Sequence, residues 1–136
     1  MQLNNTTQYA IRMLNYMANR QEGLLSAKEL SERLQIPYKF LTKIMTSLVK
    51  SEFIVSIRGR DGGYKLAKPA SEIMVLDILN EFGENIQEEQ CILGIGTCNS
   101  EQKCSLHDQW VRPKEMMIEM FANTSLENLE GSEYKI

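Results

Sequence analysis

The fold prediction for this chain starts from one short segment, FIVSIRGRDGGYKL, residues 53–66. Its first five residues are mostly β-branched or aromatic, which is typical of a β-strand. A glycine-rich stretch, 58–63, follows, and Tyr64-Lys65-Leu66 then returns to a strand-like pattern. Strand, tight glycine-rich turn and strand together predict a β-hairpin.

Two short helices are predicted immediately before this hairpin. Ser26 and Glu29 have the spacing of a capping box, which starts a helix with Ala27, Leu30 and Leu34 turned inward. Pro37 suits the first turn of the next helix, over about 38–51. Its apolar residues recur at helical spacing: Leu41, Ile44, Met45, Leu48 and Val49. Two helices joined by a tight turn predict a helix-turn-helix, and the hairpin that follows is its wing.

Apolar periodicity predicts further helices over about 5–20 and 75–82, and a long one near the C-terminus. The last helix contains Pro113, which either kinks it or marks its start. Thr124 and Glu127 have capping-box spacing and predict a short final turn. The expected fold class is mainly α with a small β-wing: a winged helix-turn-helix plus a long C-terminal dimerisation helix. A partner helix would cover its apolar stripe, whose candidate dimerisation residues are Met116, Met117, Met120 and Phe121.

The 136 residues are enough for one real core. We expect four segments along the chain. Residues 1–82 form the winged helix-turn-helix DNA-binding domain, and 83–105 form an irregular loop that carries the cysteines. Residues 106–130 form the dimerisation helix and C-terminal turn, and 131–136 a flexible tail.

Charge is unevenly distributed, and this distribution points to nucleic acid. The chain as a whole carries −3, but residues 37–68 hold seven Lys/Arg against two Asp/Glu, and residues 69–136 hold four against thirteen. A local basic segment is the electrostatic footprint of a DNA-binding element. Each of these cations alone could be ordinary solvated surface, but their placement on a helix-turn-helix and wing favours binding to a double-stranded DNA operator. The candidate DNA-binding residues are Tyr38, Lys39, Thr42 and Lys43 on the second helix, and Arg58 and Arg60 on the wing.

The three cysteines predict a metal site. Cys91, Cys98 and Cys104 lie within fourteen residues, and the single histidine, His107, follows closely. An odd number of clustered thiols is a poor disulfide framework. Thiolates are the usual ligands of iron–sulfur clusters, and an imidazole can replace one of them. A structural zinc ion held by the same four residues, or a set of inert buried thiols, are the alternatives.

Other classes of protein are disfavoured. The sequence has neither a nucleotide-binding fingerprint nor an acid–base constellation, which argues against an enzyme, a redox enzyme and an electron carrier. No apolar run approaches the length of a membrane span, and the N-terminus lacks the pattern of a signal peptide. We therefore expect a cytoplasmic protein.

These residues resemble the Rrf-type family of bacterial winged-helix iron–sulfur transcription regulators (IscR/NsrR-like) over residues 1 to about 130. The matching motifs are Tyr9-Ala10-Ile11, the wing 55–64, the cysteine loop and Asn123-Thr124-Ser125-Leu126. The resemblance implies a homodimer that binds two half-sites of an operator. It also implies that Arg58 is the wing arginine and that Lys39, Thr42 and Lys43 form the base-reading face.

The resemblance further implies how a cluster would be held. His107, placed as Cys-x-x-His, looks like the fourth ligand of the branch that carries a 2Fe–2S cluster, with 4Fe–4S as the alternative. Another branch supplies a carboxylate from the partner's first helix, at the position of Gln8, and an amide is a poor ligand. The implied function is a dimeric regulator, a repressor, that senses iron–sulfur, redox or nitric oxide status.

Overall fold

The computed structural model describes residues 2–20, 23–86 and 89–129. It confirms a mainly helical fold with one two-stranded antiparallel sheet. Two short 3₁₀ turns lie at Ala70–Glu72 and Glu127–Leu129. The helices and strands in chain order are α1 (Asn5–Ala18), α2 (Ala27–Leu34), α3 (Tyr38–Lys50), β1 (Ile54–Ile57), β2 (Gly63–Leu66), α4 (Val75–Glu81) and α5 (His107–Ala122). The predicted flexible tail, 131–136, lies outside the described residues.

The helix-turn-helix forms where the sequence predicts it. The backbone N–H of Glu29 donates to Ser26 Oγ at 3.1 Å, so Ser26 caps α2 as expected. The turn after α2 is fixed from both sides, because Arg12 on α1 donates to the carbonyl oxygen of Leu34 and Ser31 Oγ donates to that of Ile36. The core beneath it consists of fully buried apolar side chains, among them Met13, Leu14, Leu30, Leu41, Met45 and Leu48.

The wing is held to the body by a pairing that the sequence did not predict. Leu25, before α2, exchanges two backbone hydrogen bonds with Tyr64 of β2, at 3.0 and 2.8 Å. The turn itself requires glycine at position 62, because a Cβ there would lie 2.1 Å from the carbonyl oxygen of Ile57. The wing is therefore anchored at its base by the Leu25–Tyr64 pairing. Its turn depends on Gly62, a position where any residue with a side chain would clash with the backbone.

The bounds of the long helix α5 show where Pro113 lies in it. The helix begins at His107, so Pro113 lies inside it and does not mark its start. His107, at 8% exposure, is the only buried residue of α5. Met116 and Met120 are 56% and 53% exposed, whereas Met117 and Phe121 are half-buried against their own chain. The predicted apolar stripe thus divides into an exposed edge and an edge that packs on the body.

The C-terminal turn corrects one sequence-based prediction. Thr124 does not cap it, because its hydroxyl donates back to the Met120 carbonyl oxygen at 2.6 Å. Ser125 takes that place: its backbone N–H donates to Asn128 Oδ1 at 2.9 Å, and Asn128 N–H donates to Ser125 Oγ at 3.3 Å. The next residue, Leu126, is fully buried in the main core and donates its N–H to the carbonyl oxygen of Ile73 at 2.9 Å.

Candidate nucleic-acid interface and metal centre

The outer face of α3 carries the predicted base-reading residues. Lys39 and Lys43 are exposed, Tyr38 at the start of the helix is 57% exposed, and Thr42 is half-buried. Thr42 Oγ1 donates to the carbonyl oxygen of Lys39 at 3.1 Å. The hydrogen of this hydroxyl is used within the helix, so the exposed donors of this face are the two ammonium groups and the hydroxyl of Tyr38.

The wing adds two more cations. Arg58 and Arg60 are exposed on the turn between β1 and β2, where the backbone N–H of Gly62 closes the turn onto the carbonyl oxygen of Gly59 at 3.1 Å. Side chains of this kind on a glycine-rich turn suit the phosphates or the minor groove of DNA.

The electrostatics of these residues support an anionic partner. Within the described part of the chain, the side-chain ion pairs join Arg20 to Glu29 and Lys103 to Asp108. The basic residues of α3 and of the wing tip have no carboxylate partner among those residues. Uncompensated cations on adjacent elements are what a phosphate backbone neutralises.

The cysteine loop is closed by its own backbone. Gln90 and Thr97 form a short bridge, the N–H of Cys91 donates to the carbonyl oxygen of Gly96 at 3.0 Å, and the N–H of Cys98 donates to that of Glu89 at 2.7 Å. Gly96 has a φ of 61°, a left-handed conformation that favours glycine. This turn brings Cys91 and Cys98, which have six residues between them, to the base of one small loop.

The four predicted ligands stand as two donor pairs. Cys98 Sγ lies 3.4 Å from His107 Nδ1, in the first turn of α5, where the His107 N–H also donates to the carbonyl oxygen of Cys104 at 3.1 Å. In the other pair, the Cys104 side chain lies close enough to the Cys91 thiol to lower its pKa. The loop and the start of α5 therefore bring together all four residues that the sequence singled out, two by two.

The surroundings of Cys91 favour the thiolate form of its side chain. The pKa of its thiol is lowered, because the backbone N–H groups of Ile95 and Leu93 donate hydrogen bonds to the sulfur. Cys104 and the N–H of Gly94 lower this pKa further, whereas burial of the thiol opposes them. Because the thiolate is the form of cysteine that binds metals, the donor chemistry of this loop fits a cysteine-ligated metal group.

The two donor pairs do not converge on a single centre in this structure. A structural zinc ion needs four ligands around one centre, at about 2.0–2.3 Å. Within residues 2–20, 23–86 and 89–129, no three His, Cys, Asp or Glu side chains converge into a group that could hold one ion.

A connection that sequence patterns did not indicate joins the loop to the DNA-binding body. Asn4, the N-cap of α1, donates its side-chain N–H to the carbonyl oxygen of Phe82 at 3.2 Å. Its backbone N–H donates to the carboxylate of Glu84. The start of the loop is thus tied to α1, which packs on α3. No sequence signal could have found a contact between residues about eighty positions apart.

The fold and these exposed basic elements define a winged helix-turn-helix transcription regulator. Residues 3–131 match the model of the Rrf2 family, described as iron-dependent transcriptional regulators. The chain therefore belongs to the Rrf2 family, whose members bind DNA and are not enzymes. No helix in the described residues has the length and apolar character needed to cross a membrane.

The relatives that match the chain include regulators named IscR and regulators named NsrR. It is 30% identical over 134 residues to the HTH-type transcriptional regulator IscR of Photorhabdus laumondii, covering 98% of this chain and 81% of the relative. It is 36% identical over 108 residues to the HTH-type transcriptional regulator NsrR of Oceanobacillus iheyensis, covering 78% of this chain and 74% of the relative.

Solved structures confirm the fold. CymR, the global cysteine regulator of B. subtilis, superimposes with a TM-score of 0.78 at 21% identity, over 95% of both chains. IscR of T. potens superimposes with a TM-score of 0.74 at 21% identity, over 95% of this chain and 85% of that one.

Proposed function

We propose that this protein is a homodimeric repressor that senses iron–sulfur, redox or nitric oxide status through a cluster held by Cys91, Cys98, Cys104 and His107. The observation that carries the proposal is the contact of Cys98 Sγ with His107 Nδ1 at 3.4 Å, while Cys104 acts on the thiol of Cys91. Because each iron of a 2Fe–2S cluster takes two terminal ligands, this arrangement supports such a cluster over a single zinc ion. When bound, such a group would supply redox and ligand-exchange chemistry.

The position of the loop supports a route from sensing to DNA binding. His107 begins α5, so a change in its ligation acts on the first turn of that helix. At the other end of the loop, the Asn4 contacts with Phe82 and Glu84 connect it to α1, and through α1 to α3. A change at the loop can thereby alter both the dimer helix and the placement of the recognition helix.

The exposure of α5 supports the proposed dimer, because the rest of the same chain buries little of this helix. Of its sixteen residues only His107 is buried, and Met116 and Met120 are exposed next to each other on one face. This division of roles supports the proposed segments 1–82, 83–105 and 106–130, with a second copy of the chain as the cover for α5. The tail, 131–136, stays a prediction from the sequence.

The experiment that tests cluster binding is an anaerobic purification with quantitative iron and acid-labile sulfide analysis and a visible spectrum. We expect a red-brown protein with iron and sulfide in equal amounts, about two of each per chain for a 2Fe–2S cluster. A colourless protein that contains zinc, or no metal after anaerobic reconstitution, would contradict the proposal.

DNA binding through the wing is tested by replacing Arg58 with alanine. Because the side chain is exposed and unpaired, the variant should fold normally and bind its operator about tenfold more weakly, with the salt dependence of log K shallower by about 1. Fluorescence anisotropy across salt concentrations measures both quantities. Arg112→Ala, which removes an exposed arginine from α5, is the control and should leave both unchanged. An unaltered affinity and slope in Arg58→Ala would exclude this role.

A further inference from the structure

A cavity of about 340 Å³ lies between the first turns of α1, the outer part of α3 and the end of α4. Its size falls in the range of small-molecule sites, roughly 300–1,000 Å³. It belongs to neither the cysteine loop nor the wing. The residues that line it are Asn5, Thr6, Tyr9, Phe40, Lys43, Ile44, Ser47 and Phe82.

The lining of the cavity contains three aromatic residues and one cationic residue. Tyr9, Phe40 and Phe82 contribute rings from three different helical segments, and Phe40 is 54% exposed, without a cover of its own. Lys43 is the only charged residue of the lining, and within the described residues no carboxylate pairs with it. An apolar pocket with one uncompensated positive charge is complementary to an aromatic molecule that bears one negative charge.

We propose that this cavity binds a small aromatic carboxylate, with its ring among Tyr9, Phe40 and Phe82 and its carboxylate against Lys43. Asn5, Thr6 and Ser47 supply polar groups around the rings. A DNA phosphate shares the negative charge but has no ring to fill the aromatic part of the cavity. The proposal therefore commits to a small molecule as occupant.

Occupation of the cavity would act on DNA binding. This second step rests on the proposed role of Lys43 in reading DNA, whereas binding of the carboxylate does not. A carboxylate paired with Lys43 removes one cation from the outer face of α3, and the operator loses one of its electrostatic contacts. The ligand and the operator should therefore weaken each other's binding.

The binding step is tested by calorimetry on the full chain, purified anaerobically, with indole-3-propionate and its uncharged match indole-3-propionamide as probes. We expect the carboxylate to bind about tenfold more tightly than the amide. Lys43→Gln should reduce that preference to about onefold. Lys39→Gln, which removes the other lysine of α3 but does not line the cavity, should keep it. No saturable binding, equal binding of both probes, or an equal loss in Lys39→Gln would overturn the proposal.

A second pair of variants tests the location. Ser47→Leu places a larger side chain in the cavity and should abolish probe binding, whereas Thr46→Leu, at a neighbouring position outside the lining, should retain it. Should Ser47→Leu not fold, the comparison of the two lysine variants decides alone. Probe binding that disappears as protein concentration rises would mean that a second copy of the chain fills the cavity, which contradicts a small-molecule site.

The operator measurement separates the two steps. In the wild type, saturating indole-3-propionate should raise the apparent Kd for the operator several-fold, about the effect of losing one charge contact. If the probe binds with its carboxylate preference intact while operator affinity is unchanged, the role of Lys43 in DNA binding is wrong and the cavity site stands. If the probe does not bind, the cavity site is wrong, whatever the operator data show.

Discussion

Replacing Cys98 by alanine should abolish retention of an iron–sulfur cluster while leaving the protein folded. Cys98 forms one donor pair with His107, and the described loop offers no further thiol to take its place. Changes in residues that merely orient a ligand already cost about 10–100-fold in metal affinity, so losing a ligand should cost at least that. Cys91→Ala and Cys104→Ala should behave alike, because each removes half of the other pair. Iron and sulfide analysis of anaerobically purified protein measures the effect.

The matched control lies in the same loop. Thr97 is exposed directly before Cys98, so Thr97→Ala perturbs the loop without removing a donor and should keep the full metal content. Circular dichroism should show unchanged helix content in all four variants, since the loop lies outside the main apolar core. Full iron retention in all three cysteine variants would refute the sensing hypothesis.

Glutamate at both Met116 and Met120 should convert the dimer into a monomer. Both side chains are more than half exposed in the single chain, so the double variant should still fold. In a dimer that covers this edge, two unpaired carboxylates per chain would lose their hydration at a cost of about 3–5 kcal/mol for each one left uncompensated. The dissociation constant should rise at least a hundredfold. Sedimentation at micromolar concentration distinguishes the two states.

The exposure of each side chain determines which positions of α5 are suitable for this test. Met117 and Phe121 belong to the same apolar stripe, but they are half-buried against their own chain, so a charge there would confuse unfolding with dissociation. Leucine at Met116 and Met120 is the control, because it keeps the apolar character at similar volume and should keep the dimer. A wild type that sediments as a monomer, or a glutamate variant that stays dimeric, would be decisive against the proposed interface.

Most of the secondary structure followed from sequence signals that act over a few residues. The apolar spacing in α3, the Ser26 cap and the glycine-rich turn each depend on neighbours within about one helical turn or one hairpin. The same local character explains the error at Thr124. Its capping-box spacing with Glu127 is real, but α5 ends close enough for the hydroxyl to bond to Met120 instead, and Ser125 becomes the cap. Two local motifs competed, and the end of the preceding helix decided between them.

The candidate metal residues were visible in the sequence, but their grouping was not. Three cysteines and a histidine within seventeen residues predict a metal group, because thiolate and imidazole are ligands by their own chemistry. The spacing alone allowed one zinc ion or an iron–sulfur cluster. The backbone turn at Gly96 places Cys91 and Cys98 at one end of the loop, and the first turn of α5 presents His107 to Cys98.

By itself, then, the sequence determined where the helix-turn-helix and its wing lie, which segment is basic and which side chains have the chemistry of metal ligands, since periodicity, charge and ligand chemistry belong to the residues. Tertiary structure alone decided the contacts between distant positions: Leu25 with Tyr64, Asn4 with Phe82 and Glu84, and Leu126 with Ile73. It also formed the cavity that is lined by Lys43 together with aromatic residues from α1 and the end of α4. Such contacts depend on how the apolar faces of whole helices pack together, and no short stretch of sequence carries that information.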